Sequence, residues 1–205
     1  VAVAMLLLTA GLGYLGLRRS SHGLETSITA TTAVLNQKQA DMMHDALRAD
    51  VLYAIMTGPN GSAADRQTVV ADLADHVENF KSSIANLRAL ELPPQIRAEV
   101  EDIVPLLDAY IASAEAITGI ALEDAAAGRA KLPDFMIAFT DLEDGMETLG
   151  ELIESRGTEV GTAAQSGNAA VSTFMLVSAL VAAVALAIIT RLIAKSISQP
   201  LIAVK

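Results

Sequence analysis

The sequence predicts an all-α protein in which an up-down-up-down four-helix bundle ectodomain is continuous with two transmembrane helices. Three observations support this prediction: a long uncharged apolar segment near the C-terminus, a shorter one at the N-terminus, and heptad-spaced apolar residues between them. Aromatic residues make up 3% of the 205 residues, and cysteine is absent. Long alanine-rich stretches of this composition favour helices over a β-sandwich, and the lack of cysteine excludes disulfides and thiolate chemistry.

The first apolar segment is residues 1–17, VAVAMLLLTAGLGYLGL, and it carries no charge. At about 1.5 Å per residue it reaches roughly 26 Å, slightly less than the ~30 Å hydrocarbon core of a bilayer. We therefore expect an N-terminally truncated first transmembrane helix. A cleaved signal peptide is the alternative, but Arg18 and Arg19 stand where its small-residue cleavage site is needed.

Residues 18–170 are predicted to form a sensor domain of four long helices. Loop signals rich in glycine and proline interrupt them at 58–62, 92–94 and 128–133. Between the loops, apolar residues recur at alternating three- and four-residue steps, which is typical of helices packed in a left-handed bundle. The short loops make neighbouring helices antiparallel. The predicted core residues of the second to fourth helices are Val70, Leu73, Val77, Phe80, Ile84 and Leu87, then Ile96, Val100, Ile103, Leu107, Tyr110, Ala114 and Ile117, then Phe135, Phe139, Leu142, Met146, Leu149 and Ile153.

The first helix of the predicted bundle has a less regular pattern. Its apolar positions split between two faces, and they are Leu24, Ile28, Leu35, Met42, Leu47, Val51 and Ile55. A helix that contacts both its own bundle and a second subunit has this pattern, so we expect a homodimer.

The second apolar segment is residues 171–189, which carry no charge and predict a transmembrane helix at 171–190. Nineteen residues reach roughly 29 Å, and a backbone in lipid has to satisfy its own hydrogen bonds, so a helix is required. Three basic residues and no acid follow this segment. Lysine and arginine close to a span mark its cytoplasmic side, which leaves the preceding domain outside the cytoplasm.

The net charge of −10 is distributed unevenly, because all 24 acidic residues lie between Glu25 and Glu159. An acidic ectodomain argues against nucleic acid as a partner. The sequence has no phosphate-binding glycine loop, no nucleophile elbow and no evident pair of catalytic acids. We therefore expect neither an enzyme nor a bound cofactor.

One candidate metal site lies in the first helix. Asp41, His44 and Asp45 have i, i+3 and i+4 spacing, which places them on one helical face. A histidine with two carboxylates is a ligand set for a divalent metal. The alternative is a solvated or interface cluster.

The C-terminal segment, residues 191–205, is a basic connector that continues into Ile197-Ser198-Gln199-Pro200-Leu201. Together with two spans bracketing about 150 helical residues, it resembles a bacterial methyl-accepting chemotaxis protein. The ISQPL stretch looks like the opening of a HAMP domain, and residues 191–196 look like its control cable. The run 42–48, MMHDALR, also resembles the first helix of the four-helix-bundle sensor domains in this family.

The resemblance implies a homodimeric receptor that crosses the bacterial inner membrane twice, with its sensor domain in the periplasm. Helix four and the second transmembrane helix would then signal through Arg191 and Pro200 to a HAMP module, a kinase and an adaptor in the cytoplasm. Sensor histidine kinases and cyclases share this arrangement and remain an alternative. A membrane-anchored structural bundle without a ligand, and sensing through a partner binding protein, also remain open.

The candidate ligand site is at a level that similar receptors use between subunits. Arg48 lies about ten residues before the first loop, about 15 Å from the membrane-distal end, and Thr140 and Asp141 lie at a similar level of the fourth helix. In a dimer, Arg48 could hold a carboxylate or amino acid with two hydrogen bonds, and Thr140 could add a third. The alternative is that Arg48 pairs with Asp45, Asp50 or solvent.

Overall fold

The structure is a computed structural model that describes residues 2–202, except for the side chains of 2–10, 12, 15, 19, 168, 170, 171, 193 and 195–202. Within residues 2–202 the chain is helical and has no strand, so the predicted all-α class is confirmed. The helices in chain order are α1 (Ala2–Thr57), α2 (Ala63–Ala89), α3 (Pro94–Glu123), α4 (Ala125–Ala130) and α5 (Leu132–Ile202).

The chain divides into two compact units. One unit is Ser27–Glu159, and the other combines the residues up to Thr26 with those from Val160 onward. The first unit contains nearly all of the charged residues, and the second contains the two apolar segments.

The core of the 27–159 unit is a cluster of buried apolar residues from α1, α2, α3 and α5. Every predicted core residue of α3 and α5 is buried, and so is every one in α2 except Val70. Val70 is 53% exposed, and Val69 is buried in its place. Consecutive residues point about 100° apart on a helix, so a shift of one position is enough to exchange a core residue for a surface one.

The loop predicted at 58–62 is present, and its local chemistry explains how α2 begins. Gly58 has a φ of +54°, a conformation that side chains with a Cβ rarely adopt. Ser62 caps α2 by accepting a hydrogen bond from the backbone N–H of Asp65, whose carboxylate accepts one from the backbone N–H of Ser62. This reciprocal pair satisfies two of the N–H groups left unpaired at a helix start.

The third predicted loop, at 128–133, is wrong in its extent. Asp124 ends α3 and caps α4 by accepting hydrogen bonds from the backbone N–H groups of Ala126 and Ala127. Gly128 lies inside α4, where an added Cβ would come within 2.6 Å of the Cβ of Ala121 and 2.8 Å of its Cα. The glycine therefore permits close contact between α3 and α4, a role that glycine as a loop signal does not reveal.

Two of the described helices, α3 and α5, are long and apolar enough to cross a membrane. Most of the large apolar residues of α3 belong to the core of the 27–159 unit, whereas most of the large apolar residues of α5 from Phe174 to Leu192 are exposed. A continuous exposed apolar surface is unfavourable in water, so α5 is the helix that suits a bilayer. The predicted span at 1–17 falls mainly on residues whose side chains lie outside the described ones.

Candidate functional site

A buried group of polar and aromatic side chains joins three helices of the 27–159 unit, and we call His44, Tyr110 and Phe139 the His44 layer. His44 is buried on α1, and its Nε2 lies 3.1 Å from the backbone oxygen of Phe139 on α5. Since a carbonyl only accepts, Nε2 carries the proton and donates. The two rings stack with centroids 4.0 Å apart, and the hydroxyl of Tyr110 on α3 donates to the carbonyl of His44 at 2.8 Å. One residue of α1 is thus hydrogen-bonded to both α3 and α5.

The environment of His44 keeps its imidazole neutral at pH 7. Burial lowers the pKa of His44 below its ordinary value of 6.5, because the charged form loses hydration. The hydrogen bond to the Phe139 carbonyl and the charges of Asp45, Glu143 and Asp41 oppose this shift, but burial is the larger effect. The neutral ring can therefore act as a single donor within the aromatic cluster.

The candidate metal site is not assembled. In the described part of the chain, no group of three histidine, aspartate or glutamate side chains is arranged to hold a metal ion. His44 is turned into the core with Nε2 on Phe139, while Asp41 and Asp45 are exposed. The helical spacing predicted one shared face, but the side chain of His44 is buried, whereas the side chains of Asp41 and Asp45 are exposed to solvent.

Arg48 lies at the solvent-exposed edge of the His44 layer. Its Nη2 donates to Oδ1 of Asp45 at 2.8 Å, and its Cζ lies 4.3 Å from the centroid of the Phe139 ring. The pairing with Asp45 was the stated alternative to ligand binding. The two side chains are 38% and 65% exposed, and an ion pair in such a setting contributes about 0–1 kcal/mol. A carboxylate from solution could therefore replace Asp45 at small cost, while the aromatic ring keeps the guanidinium in place.

Thr140 and Asp141 lie next to Phe139 in sequence but on other faces of α5. Both are exposed and follow Phe139 by one and two residues, which rotates them about 100° and 200° away from it around α5. Glu143, one turn beyond Phe139, is the acid of α5 whose charge acts on His44. A joint role of Arg48, Thr140 and Asp141 stays a prediction that requires a second subunit.

Phe139 and Tyr110 were predicted as core residues, but their hydrogen bonds and ring contacts with His44 were not predicted. Only the one-turn spacing of His44 and Arg48 on α1 hinted that a single partner residue could contact both.

A second polar contact joins α1 to α2. Asp50 is buried, and its Oδ2 lies 2.7 Å from Nδ1 of His76. Burial raises the pKa of Asp50 above its usual 3.8, the hydrogen bond and charge of His76 oppose this, and Asp72 reinforces it. His44 and Asp50 stand three residues to either side of buried Leu47, so α1 is linked to its neighbours by polar contacts over about two turns.

The side of α1 directed away from the core carries a row of exposed apolar residues, and we call Ile28, Leu35, Met42 and Met56 the outer stripe. All four are more than half exposed, and their numbers differ by seven or fourteen. Seven-residue spacing keeps residues on one face of a supercoiled helix. Leu47, Val51 and Ile55 of the same helix are buried, so the predicted division of α1 into two apolar faces is confirmed.

The two residues predicted to transmit a signal, Arg191 and Pro200, both lie in α5. Arg191 is exposed, and the side chain of Pro200 is outside the described residues. Their role stays a prediction.

Neither a family model, nor a curated protein, nor a solved structure matches this chain. The structure therefore defines the class of protein only: an all-α protein that has, among its described residues, two helices long and apolar enough to span a membrane. The resemblance to chemotaxis proteins stays an expectation from the sequence.

Proposed function

We propose that this chain is the sensory and transmembrane part of a bacterial chemoreceptor that detects a small solute outside the cytoplasm. In this proposal, residues 18–170 form an up-down-up-down four-helix bundle in the periplasm, and the helices at 1–17 and 171–190 cross the inner membrane. One observation carries the proposal. The helix α5 contributes Phe135 to Ile153 to the buried core and further along has an exposed, uncharged apolar run.

A continuous helix of this kind gives a bound solute a route to the cytoplasm. A ligand that contacts α5 and favours one of two packings of that helix shifts the population in proportion to its difference in affinity. The basic connector after the second apolar segment, including Arg191, and the HAMP-like stretch at Pro200 would receive the displacement. The receiving kinase and adaptor follow from the resemblance alone.

The proposed ligand is a small carboxylate or amino acid, and Arg48 is its anchor. The guanidinium is partly exposed, has one exposed ion pair to exchange, and lies over the Phe139 ring. Arginine presents five N–H donors in a planar fork that matches a carboxylate. Thr140 and Asp141 of a second subunit would complete the site, with Asp141 suited to the ammonium group of an amino acid.

The proposed assembly is a homodimer built on the outer stripe of α1. Four large apolar side chains exposed at heptad spacing are a self-complementary surface for a second copy of the same helix. Pairing two such helices removes this surface from water, which favours association by roughly 25 cal/mol per Å² of apolar area.

Ligand binding is tested by thermal unfolding of the full chain in lipid nanodiscs against a panel of organic acids and amino acids. A ligand at 100 times its dissociation constant should stabilise the protein by about 2.7 kcal/mol. Arg48→Ala should abolish the shift. Arg88→Ala, which removes an exposed arginine of α2 paired with Glu101 of α3, should leave it intact. No shift with any member of the panel, or equal shifts in both variants, contradicts the proposed site.

The dimer is tested by measuring the mass of the full chain in nanodiscs or detergent. Leu35→Glu places a charge in the outer stripe and should reduce the dimer to a monomer at micromolar concentration. Val70→Glu makes the same change at an exposed apolar residue of α2 and should leave the dimer unchanged. A monomeric wild type, or equal masses for the two variants, rules out this interface.

A further inference from the structure

The His44 layer connects α1 and α5 through a specific atom-to-atom contact inside an apolar core. Most other contacts of the core are between aliphatic side chains or aromatic rings, which tolerate small sliding movements at little cost. A hydrogen bond does not tolerate such sliding, because it weakens once the donor and acceptor atoms separate beyond about 3.2 Å. The contact between Nε2 of His44 and the Phe139 carbonyl is already 3.1 Å.

Movement of α5 along its axis would break this hydrogen bond early. If the bond is roughly perpendicular to the helix axis, a slide of about 2 Å stretches it past hydrogen-bonding distance. The next carbonyl on the same face of α5 arrives only after a full turn of about 5.4 Å. Between these positions, the N–H of His44 would be buried without an acceptor, which is unfavourable.

The rest of the layer prevents His44 from following the moving helix. The Tyr110 hydroxyl holds the backbone of His44 from α3, and the imidazole is stacked on Phe139 and tilted against Tyr110 with centroids 5.1 Å apart. Further along α1, the buried side chain of Leu47 and the contact between Asp50 and His76 also hold this helix in place. The donor is therefore fixed on α1, and the acceptor belongs to the backbone of α5.

We propose that the hydrogen bond from His44 to the Phe139 carbonyl is a lock that fixes the axial register of α5 against α1. The lock gives α5 a preferred position within the 27–159 unit and sets the energy gap to any displaced position. Its use in signalling rests on the proposed function, but the lock itself does not. A buried polar contact that fixes helix register is the best-attested use of such groups in packed helices.

Disulfide scanning measures this register directly, because the chain has no cysteine of its own. In the full chain, Asp41→Cys on α1 is combined in turn with Thr140→Cys, Glu143→Cys or Glu147→Cys on α5, all at exposed positions. Cross-linking rates are measured in nanodiscs without ligand under mild oxidation. A cross-link within a chain keeps the monomer mass on a non-reducing gel, whereas a cross-link between subunits doubles it.

Four variants of the His44 layer separate the lock from packing. His44→Gln keeps a donor for the Phe139 carbonyl. His44→Phe keeps an aromatic ring but removes the donor. His44→Met also removes the donor, and it replaces the phenylalanine variant if that variant loses its helical circular dichroism signal. Tyr110→Phe removes a hydrogen bond between α3 and α1 and leaves the lock itself in place.

With the lock intact, one of the three cysteine pairs should form about tenfold faster than the others. This preference should persist in His44→Gln and in Tyr110→Phe, and should shrink to within about threefold in the donor-free variants. The lock is refuted by a wild type with no preferred pair, by a donor-free variant that keeps the tenfold preference, or by His44→Gln losing it as well. Because no ligand is used, a failure here is distinct from a failure of the proposed solute site.

Discussion

Replacing Tyr110 with phenylalanine tests how much the His44 layer stabilises the 27–159 unit. The Tyr110 side chain is fully buried, and its hydroxyl donates a 2.8 Å hydrogen bond to the carbonyl of His44. Removing the hydroxyl does not leave that carbonyl without a donor, because a helical carbonyl also accepts from the N–H four residues later. The cost is therefore that of one net hydrogen bond, about 0.5–1.5 kcal/mol, and the ring packing is kept.

For a unit of this size, a loss of about 1 kcal/mol lowers the melting temperature by roughly 3–5 °C. The assay is thermal unfolding of the full chain in nanodiscs, followed by circular dichroism. Tyr53→Phe is the matched control, because it makes the same change at a tyrosine that is 44% exposed on α1. If both tyrosine variants have the same melting temperature as the wild type, the hydrogen bond to His44 contributes nothing to stability and the reasoning about the His44 layer is wrong.

Three further predictions can be tested in the same unfolding assay. Gly128→Ala should destabilise the protein by about 1–3 kcal/mol, because the added Cβ would lie 2.6 Å from Ala121. Gly119→Ala, where an added Cβ has nothing within 4 Å, should stabilise the protein by up to about 1 kcal/mol. The reverse order of stabilities would contradict the close contact of α3 and α4. Ser62→Ala should cost about 1 kcal/mol by removing the cap of α2, and an unchanged melting temperature would show the cap to be dispensable. Because the pKa of His44 is lowered in the folded protein, the unfolded chain binds a proton more readily than the folded one. The free energy of unfolding should therefore be retained above pH 6.5 and should fall as the pH drops below it. His44→Gln should remove this part of the pH dependence when the stability profiles of the variant and the wild type are compared.

Much of the fold could be predicted because heptad spacing reports directly on which residues face the core. The predictions for α3 and α5 hold at every predicted core position. The error at Val70 has a local cause: Val69 and Val70 are equally apolar, and the pattern alone does not choose between them. The error at Gly128 has another cause, since glycine marks both loops and close helix contacts, and only the neighbouring helix distinguishes the two.

Less of the candidate site could be predicted because its contacts join residues far apart in sequence. Asp41, His44 and Asp45 share a spacing, but the direction of the His44 ring depends on a carbonyl 95 residues away. The placement of Arg48 over Phe139 likewise depends on how α1 packs against α5. Sequence spacing describes one helix at a time, so it identified the chemistry of these residues and not their partners.

The contact between Gly128 and Ala121 also limits how this chain can evolve. Each position faces the other so closely that a larger residue at either one requires α4 to move away from α3. Drift should therefore be confined to glycine at position 128 and to glycine and alanine at position 121, even though the adjacent turn is on the surface. Random mutagenesis with selection for folded protein would reveal this as a pair of intolerant positions at 121 and 128.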